Sequence, residues 1–102
     1  MTLQQLIYAV TVADQTSMNR AAQALFLSQS SLSASIHNLE QEIGLTIFRR
    51  TNRGVSPTPE GEEFLLYARQ IVNQYRLAEE KYIYKKESKK SFSVSSQHYT
   101  FA

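Results

Sequence analysis

With 102 residues and 42% apolar content, the chain has room for one small domain and one long extra element, not two full domains. It has no cysteine and only two histidines, His37 and His98, far apart in sequence. Disulfides, thiolate metal sites, cysteine nucleophiles and a histidine metal cluster are therefore excluded, and no cofactor is expected. The net charge of +2 says little alone, so any polyanionic partner must be argued from where the charges fall. No apolar run is long enough for a membrane span, and Met1 leads straight into an amphipathic pattern. The expected compartment is the cytoplasm, with no membrane partner.

The first helix is expected over residues 3–14. Thr2 caps it, and Gln5 stands where the reciprocal partner of a capping box belongs. Leu3, Leu6, Ile7, Val10 and Ala13 recur at helical spacing as its buried face. Thr16 or Ser17 caps a short second helix, 18–25, in which Ala21 and Ala22 allow close approach of a neighbouring helix. Phe26 and Leu27 form an apolar turn, and Ser28 caps a third helix over 29–43. Leu32, Ile36, Leu39 and Ile43 step by four, three and four along one face of that helix. Ser30, Ser33, Ala34, His37 and Asn38 flank this face or point away from it, and Gly44 ends the helix.

Residues 47–50 and 55–56 read as short strands around the turn Thr51-Asn52-Arg53-Gly54. Thr58 and Pro59 then open a long helix to Lys86, with Glu60, Glu62 and Glu63 at its start and Lys81, Lys85 and Lys86 near its end. At 1.5 Å per residue this helix is roughly 40 Å long, more than so small a domain can bury. Gly61, Phe64, Ala68, Ile71, Tyr75, Ala78 and Tyr82 step by three and four, a heptad-like seam for a second copy of the chain. Leu65 and Val72 form a flanking stripe expected to lie against the first helix. Residues 88–91 are a polar, basic break, after which Phe92-Ser93-Val94-Ser95 alternates like one strand.

These elements occur in a familiar order. Ala21-Ala22, Leu25, Ser28-Gln29-Ser30, Leu32-Ser33, Ile36, Leu39-Glu40, Gly44-Leu45, Ile47-Phe48-Arg49-Arg50, Arg53-Gly54-Val55 and Thr58-Pro59-Glu60-Gly61 resemble the N-terminal pattern of LysR-type transcriptional regulators. The match covers about the first ninety residues in register. It implies a mainly α fold: a winged helix-turn-helix of three helices plus a two-stranded wing over 1–58, and a linker or dimerisation helix over 59–87. Residues 88–102 would be a hinge and the truncated start of an effector-binding domain. The resemblance also implies antiparallel pairing of the linker helices. The implied partners are double-stranded DNA and a second copy, with tetramers open to the full-length parent. RNA polymerase, and a small effector acting through the missing domain, complete the set. Ala34 departs from the family, which often has a basic or larger polar residue there, and Ser30 stands where proline is frequent.

The chemistry of the third helix suits DNA readout. Gln29 can contact adenine in a bidentate manner, Ser30 and Ser33 can bond either kind of base edge, and Ala34 can pack on a thymine methyl. Ser31 and Ser35 are phosphate or helix-packing residues. Serine is a mediocre helix former, so so many in one segment require a reason beyond solubility. His37 is either a phosphate contact or a surface residue without a role. Arg20 is a phosphate contact or one half of a surface ion pair. Arg49 or Arg50 holds phosphates, unless one pairs with a carboxylate of the fold. Arg53, at the turn, is placed to enter an adjoining minor groove. Lys85-Lys86 and Lys89-Lys90 read as a solvated linker. A protein-docking module is the competing reading. An enzyme finds no support, since no histidine–carboxylate pairing, glycine-rich phosphate loop or metal spacing is present.

Overall fold

The computed structural model describes residues 1–84. Helix α1 (Leu3–Gln15) opens on a complete capping box. Thr2 Oγ1 accepts the Gln5 amide N–H at 3.1 Å, and Gln5 Oε1 accepts that of Thr2 at 3.0 Å. The helix stops at Thr16, which takes a left-handed conformation with φ of 54° while its N–H donates to the Val12 carbonyl. Ser17, not Thr16, caps α2 (Met18–Leu25), its Oγ accepting the Arg20 N–H at 3.1 Å. Phe26, also left-handed with φ of 58°, closes α2 and is 94% exposed. Ser28 caps α3 (Gln29–Ile43), and Gly44, at φ of 76°, ends it.

A left-handed β-branched residue is strained, and the Thr16 side chain is exposed. Thr16→Gly should therefore stabilise the fold by about 0.5–1 kcal/mol, the relief of strain exceeding glycine's entropic cost. Urea denaturation of the two proteins measures the difference; a loss of stability would contradict it.

The helices meet over a core of Leu6, Ala9, Val10 and Val12 from α1, Met18, Ala21 and Ala22 from α2, and Leu32, Ile36 and Leu39 from α3. α1 packs against both α2 and α3, so its buried arc is broader than one stripe: Ala9 and Val12 are fully enclosed, and Leu3, Ile7 and Ala13 are half-buried at the edges. Ala21 and Ala22 have almost no exposure, as close helix approach requires.

The wing is an antiparallel pair, β1 (Phe48–Thr51) and β2 (Gly54–Pro57), in the register Phe48↔Pro57, Arg49↔Ser56, Arg50↔Val55 and Thr51↔Gly54. Its tip is Asn52-Arg53. The strands start and end one residue away from the expected limits, with Ile47 buried just before β1 rather than within it. Hydrogen bonds from several elements hold the base of the wing. The Val55 N–H donates to the Thr16 carbonyl at 3.1 Å, and the Thr58 N–H donates to the Ile47 carbonyl at 2.8 Å. Glu40 Oε2 accepts the N–H groups of Ile47 and Phe48 at 2.7 and 3.2 Å.

Helix α4 (Pro59–Glu79) starts with the Thr58 hydroxyl accepting the Gly61 N–H at 2.9 Å. It ends in a π-helical turn, Glu80–Tyr84, rather than continuing as α-helix. Two compact units divide the described residues, Met1–Val72 and Asn73 onward. Within the first, Gly61, Leu65, Ala68 and Val72 bury one face of α4, and Arg69 pairs with Asp14 of α1 at 2.8 Å. This corrects the expected dimer seam. Ala68 is 0% exposed in its own chain and has no surface to offer a partner. Gly61 is buried likewise. Leu65 and Val72, expected to flank the seam and face the domain, are buried in the core with them. Residues 85 and 86 of the expected helix, the hinge and the strand at 92–95 lie outside the described residues.

Candidate nucleic-acid interface

The back of α3 is buried through Leu32, Ile36 and Leu39, which leaves Gln29, Ser30, Ser31, Ala34, His37 and Asn38 exposed and Ser33 and Ser35 half-buried. The first turn is organised by hydroxyls. Ser28 Oγ accepts the Ser31 N–H at 3.1 Å and lies 2.9 Å from Ser31 Oγ and 3.3 Å from Ser30 Oγ. Of the readings open for Ser31, the structure shows its hydroxyl joined to the helix cap. Backbone N–H groups at such a terminus carry partial positive charge that favours an anion.

Pleat alternation separates the two neighbouring wing arginines. Arg50 shares a face with Phe48, and Arg49 points to the other side. The Arg50 face borders a cleft between α3 and the wing. Its floor is apolar (Met18, Ile36, Phe48, Val55), and Ser33, His37, Glu40 and Arg50 form its rim. Among the described residues Asp14–Arg69 is the one ion pair between side chains, so Arg20, Arg49, Arg50 and Arg53 have no carboxylate partner there. Arg53 is exposed at the tip, and Arg20 is exposed in the first turn of α2.

The structure thus places Gln29, Ser30, Ser33, Ala34 and His37 on one helix, of which Ser33 and His37 share a cleft with Arg50, and Arg53 at the wing tip. Glu40 escaped notice as a site residue in the sequence. Its signal, an acidic residue on the third helix eight residues before the first strand, becomes legible only once the strand is folded back.

On α4 the large exposed apolar residues are Leu66, Tyr67, Ile71, Tyr75 and Leu77, with Tyr82, Ile83 and Tyr84 in the turn beyond it. Tyr67, 62% exposed, falls between Phe64 and Ile71 at helical steps of three and four, where the sequence reading had Ala68. The Tyr75 phenol is held above its usual pKa, first by a hydrogen bond to Glu79 and then by that carboxylate's charge.

A family model described as a bacterial regulatory helix-turn-helix protein of the lysR family matches residues 3–62. The chain belongs to the LysR family. Among LysR relatives, the transcriptional regulator YofA of Bacillus subtilis is 43% identical over 68 residues, 67% of this chain and 24% of that protein. BenM of Acinetobacter baylyi is 40% identical over 73 residues, 72% of this chain and 24% of that protein. The chain spans about a quarter of the length of these curated relatives. Two solved LysR structures share the winged helix-turn-helix. The DNA-binding domain of CbnR in complex with DNA superposes with a TM-score of 0.72 at 31% identity, covering 79% of this chain and 93% of that one. The BenM DNA-binding domain with benA site 1 DNA gives 0.72 at 37% identity, covering 76% and 91%. No helix among the described residues is long and apolar enough to cross a membrane.

Proposed function

We propose that this chain is the DNA-binding part of a transcriptional regulator. It reads bases in the major groove with α3 and the adjoining minor groove with Arg53, as a homodimer on an inverted repeat. The observation that carries this reading is the division of α3: one side is in the core, and the other is an amide-and-hydroxyl surface beside arginines that have no carboxylate partner among the described residues. The DNA complexes of the CbnR and BenM domains support it.

Gln29 is assigned the bidentate contact to adenine, Ser30 and Ser33 bonds to base edges, and Ala34 the apolar contact to a thymine methyl. The cleft between α3 and the wing suits the phosphodiester strand that divides the two grooves. Arg50 and His37 on its rim are assigned to those phosphates, and Arg20 to a phosphate at the start of α2. Ser31 serves the cap that presents N–H groups to the backbone. Arg49, on the other face of the wing, is left to flanking phosphates. Dimerisation is assigned to Phe64, Tyr67, Ile71, Tyr75, Ala78 and Tyr82, without Ala68. Twofold pairing would present two reading helices to two half-sites. Effector binding and polymerase contact are assigned to no residue of this chain.

Selection from random duplexes yields a specific site, against which two variants and a scrambled duplex are titrated over a range of salt. Arg53→Ala should weaken binding to both duplexes and lower the salt slope by about one. Gln29→Ala should reduce the ratio of specific to scrambled affinity by about tenfold, in line with the loss of a bidentate base contact. Unchanged discrimination by Gln29→Ala would remove that residue from the reading. A parent chain that binds no duplex at low salt would favour the docking module.

A further inference from the structure

We propose that Glu40 is the positioning residue that sets the wing against the reading helix, and so fixes the reach from the bases under α3 to the minor groove under Arg53. This rests on the two-groove reading above. A single carboxylate oxygen, Glu40 Oε2, accepts two backbone N–H groups, from Ile47 at 2.7 Å and Phe48 at 3.2 Å, in a partly buried setting. These are the residues through which the chain enters β1. Pro57, opposite Phe48, has no N–H to contribute to the ladder at that end. Bonds to an ionised acceptor are shorter and stronger than neutral ones, and an N–H deprived of its acceptor in a buried place is costly.

The location matters as much as the strength. Glu40 lies on the same helix as Gln29, Ser33 and His37, and with Ser33 and His37 it borders the cleft that separates the helix from the wing. The other ties of the wing lead elsewhere: Val55 is bonded to Thr16, at the corner between α1 and α2, and Thr58 to Ile47 within the base itself. Among the described side-chain hydrogen bonds, Glu40 alone joins α3 to β1. Its removal leaves β2 anchored and takes away the directional tie between β1 and the helix that reads the bases, leaving only the apolar packing of Ile47 and Phe48. The wing then persists, but its tip no longer has a set distance from α3.

The experiment uses the duplex selected by the parent chain and a copy in which adenines flanking the half-site are replaced by 2,6-diaminopurine. That change adds an amino group in the minor groove and leaves the major-groove edge as it was. The ratio of affinities for the two duplexes reports the wing; single base-pair changes inside the half-site report α3. Glu40→Ala should lower the flank ratio by about tenfold while keeping discrimination inside the half-site. Glu40→Gln, which keeps an oxygen acceptor, should restore most of the ratio. The double variant Glu40→Ala with Arg53→Ala should discriminate the flank no worse than Arg53→Ala alone. If Glu40→Ala does not fold, Glu40→Asp, which withdraws the carboxylate by one methylene, takes its place in every comparison. A flank ratio equal to the parent's, or losses that add in the double variant, would overturn the role of Glu40. If Arg53→Ala keeps the parent's flank ratio, the wing reading fails first, and the proposal about Glu40 falls with it.

Discussion

Gly61→Ala should destabilise the fold by about 2–3 kcal/mol, although alanine is the better helix former by about 1 kcal/mol. Gly61 lies in the first turn of α4 with its α-carbon facing the backbone of Ile47. A β-carbon there would overlap the Ile47 carbonyl oxygen and come within 2.9 Å of the Ile47 α-carbon. Backbone cannot rotate away as a side chain can. The same carbonyl accepts the Thr58 N–H at 2.8 Å, so a shift that relieves the clash strains the bond that ties α4 to the wing. Gly44→Ala is the informative comparison. Gly44 has a positive φ of 76° but nothing within 4 Å of a new β-carbon, so its cost should be conformational alone, about 1 kcal/mol. Denaturation midpoints of the three proteins order the effects. A Gly61→Ala variant as stable as the parent would refute the close approach.

Ile71→Glu should give the largest functional loss. Ile71 is 45% exposed, so a glutamate there should change the stability of a single chain by no more than about 0.5 kcal/mol. In a homodimer paired through α4 it would place two carboxylates in an apolar seam. The variant should sediment as a monomer and bind an inverted repeat about a hundredfold or more weaker, because the second half-site no longer gains from linkage to the first. Its affinity for a lone half-site should match the parent's. Ala68→Leu serves as the contrast. Ala68 is fully buried within its own chain, so the added bulk should cost about 1–3 kcal/mol of fold stability rather than strengthen a dimer. Persistence of the dimer in Ile71→Glu would remove Ile71 from the interface.

The local features were the ones legible in the sequence. The box of Thr2 and Gln5, the cap at Ser28 and the stop at Gly44 each depend on residues within one turn, and each formed as read. Thr16 and Ser17 were both open as the cap of α2; Ser17 takes the place because Thr16 closes α1 in a left-handed conformation, with its carbonyl accepting the N–H of Val55, nearly forty positions away. Ala68 was misplaced because the seven-residue step from Gly61 through Ala68 to Tyr75 does not say which flank of a helix meets its own domain. Only Leu65 and Val72, joining Ala68 under the core, decide that. The separation of Arg49 from Arg50 was within reach: a Phe48 turned inward implies that Arg50, two residues on, shares its side. The bonds from Glu40 were not, since they cross a turn whose geometry is tertiary.

The two faces of α3 have a consequence for how such a protein changes over generations. Leu32, Ile36 and Leu39 carry its share of the folding energy, while Gln29, Ala34, His37 and Asn38 are exposed and make no side-chain hydrogen bond within the described residues. Drift at those outward positions is nearly free of any penalty in folding. On the proposed reading of α3, a gene duplicate would acquire a new genomic address by a handful of substitutions on one surface, with its scaffold left as it was inherited.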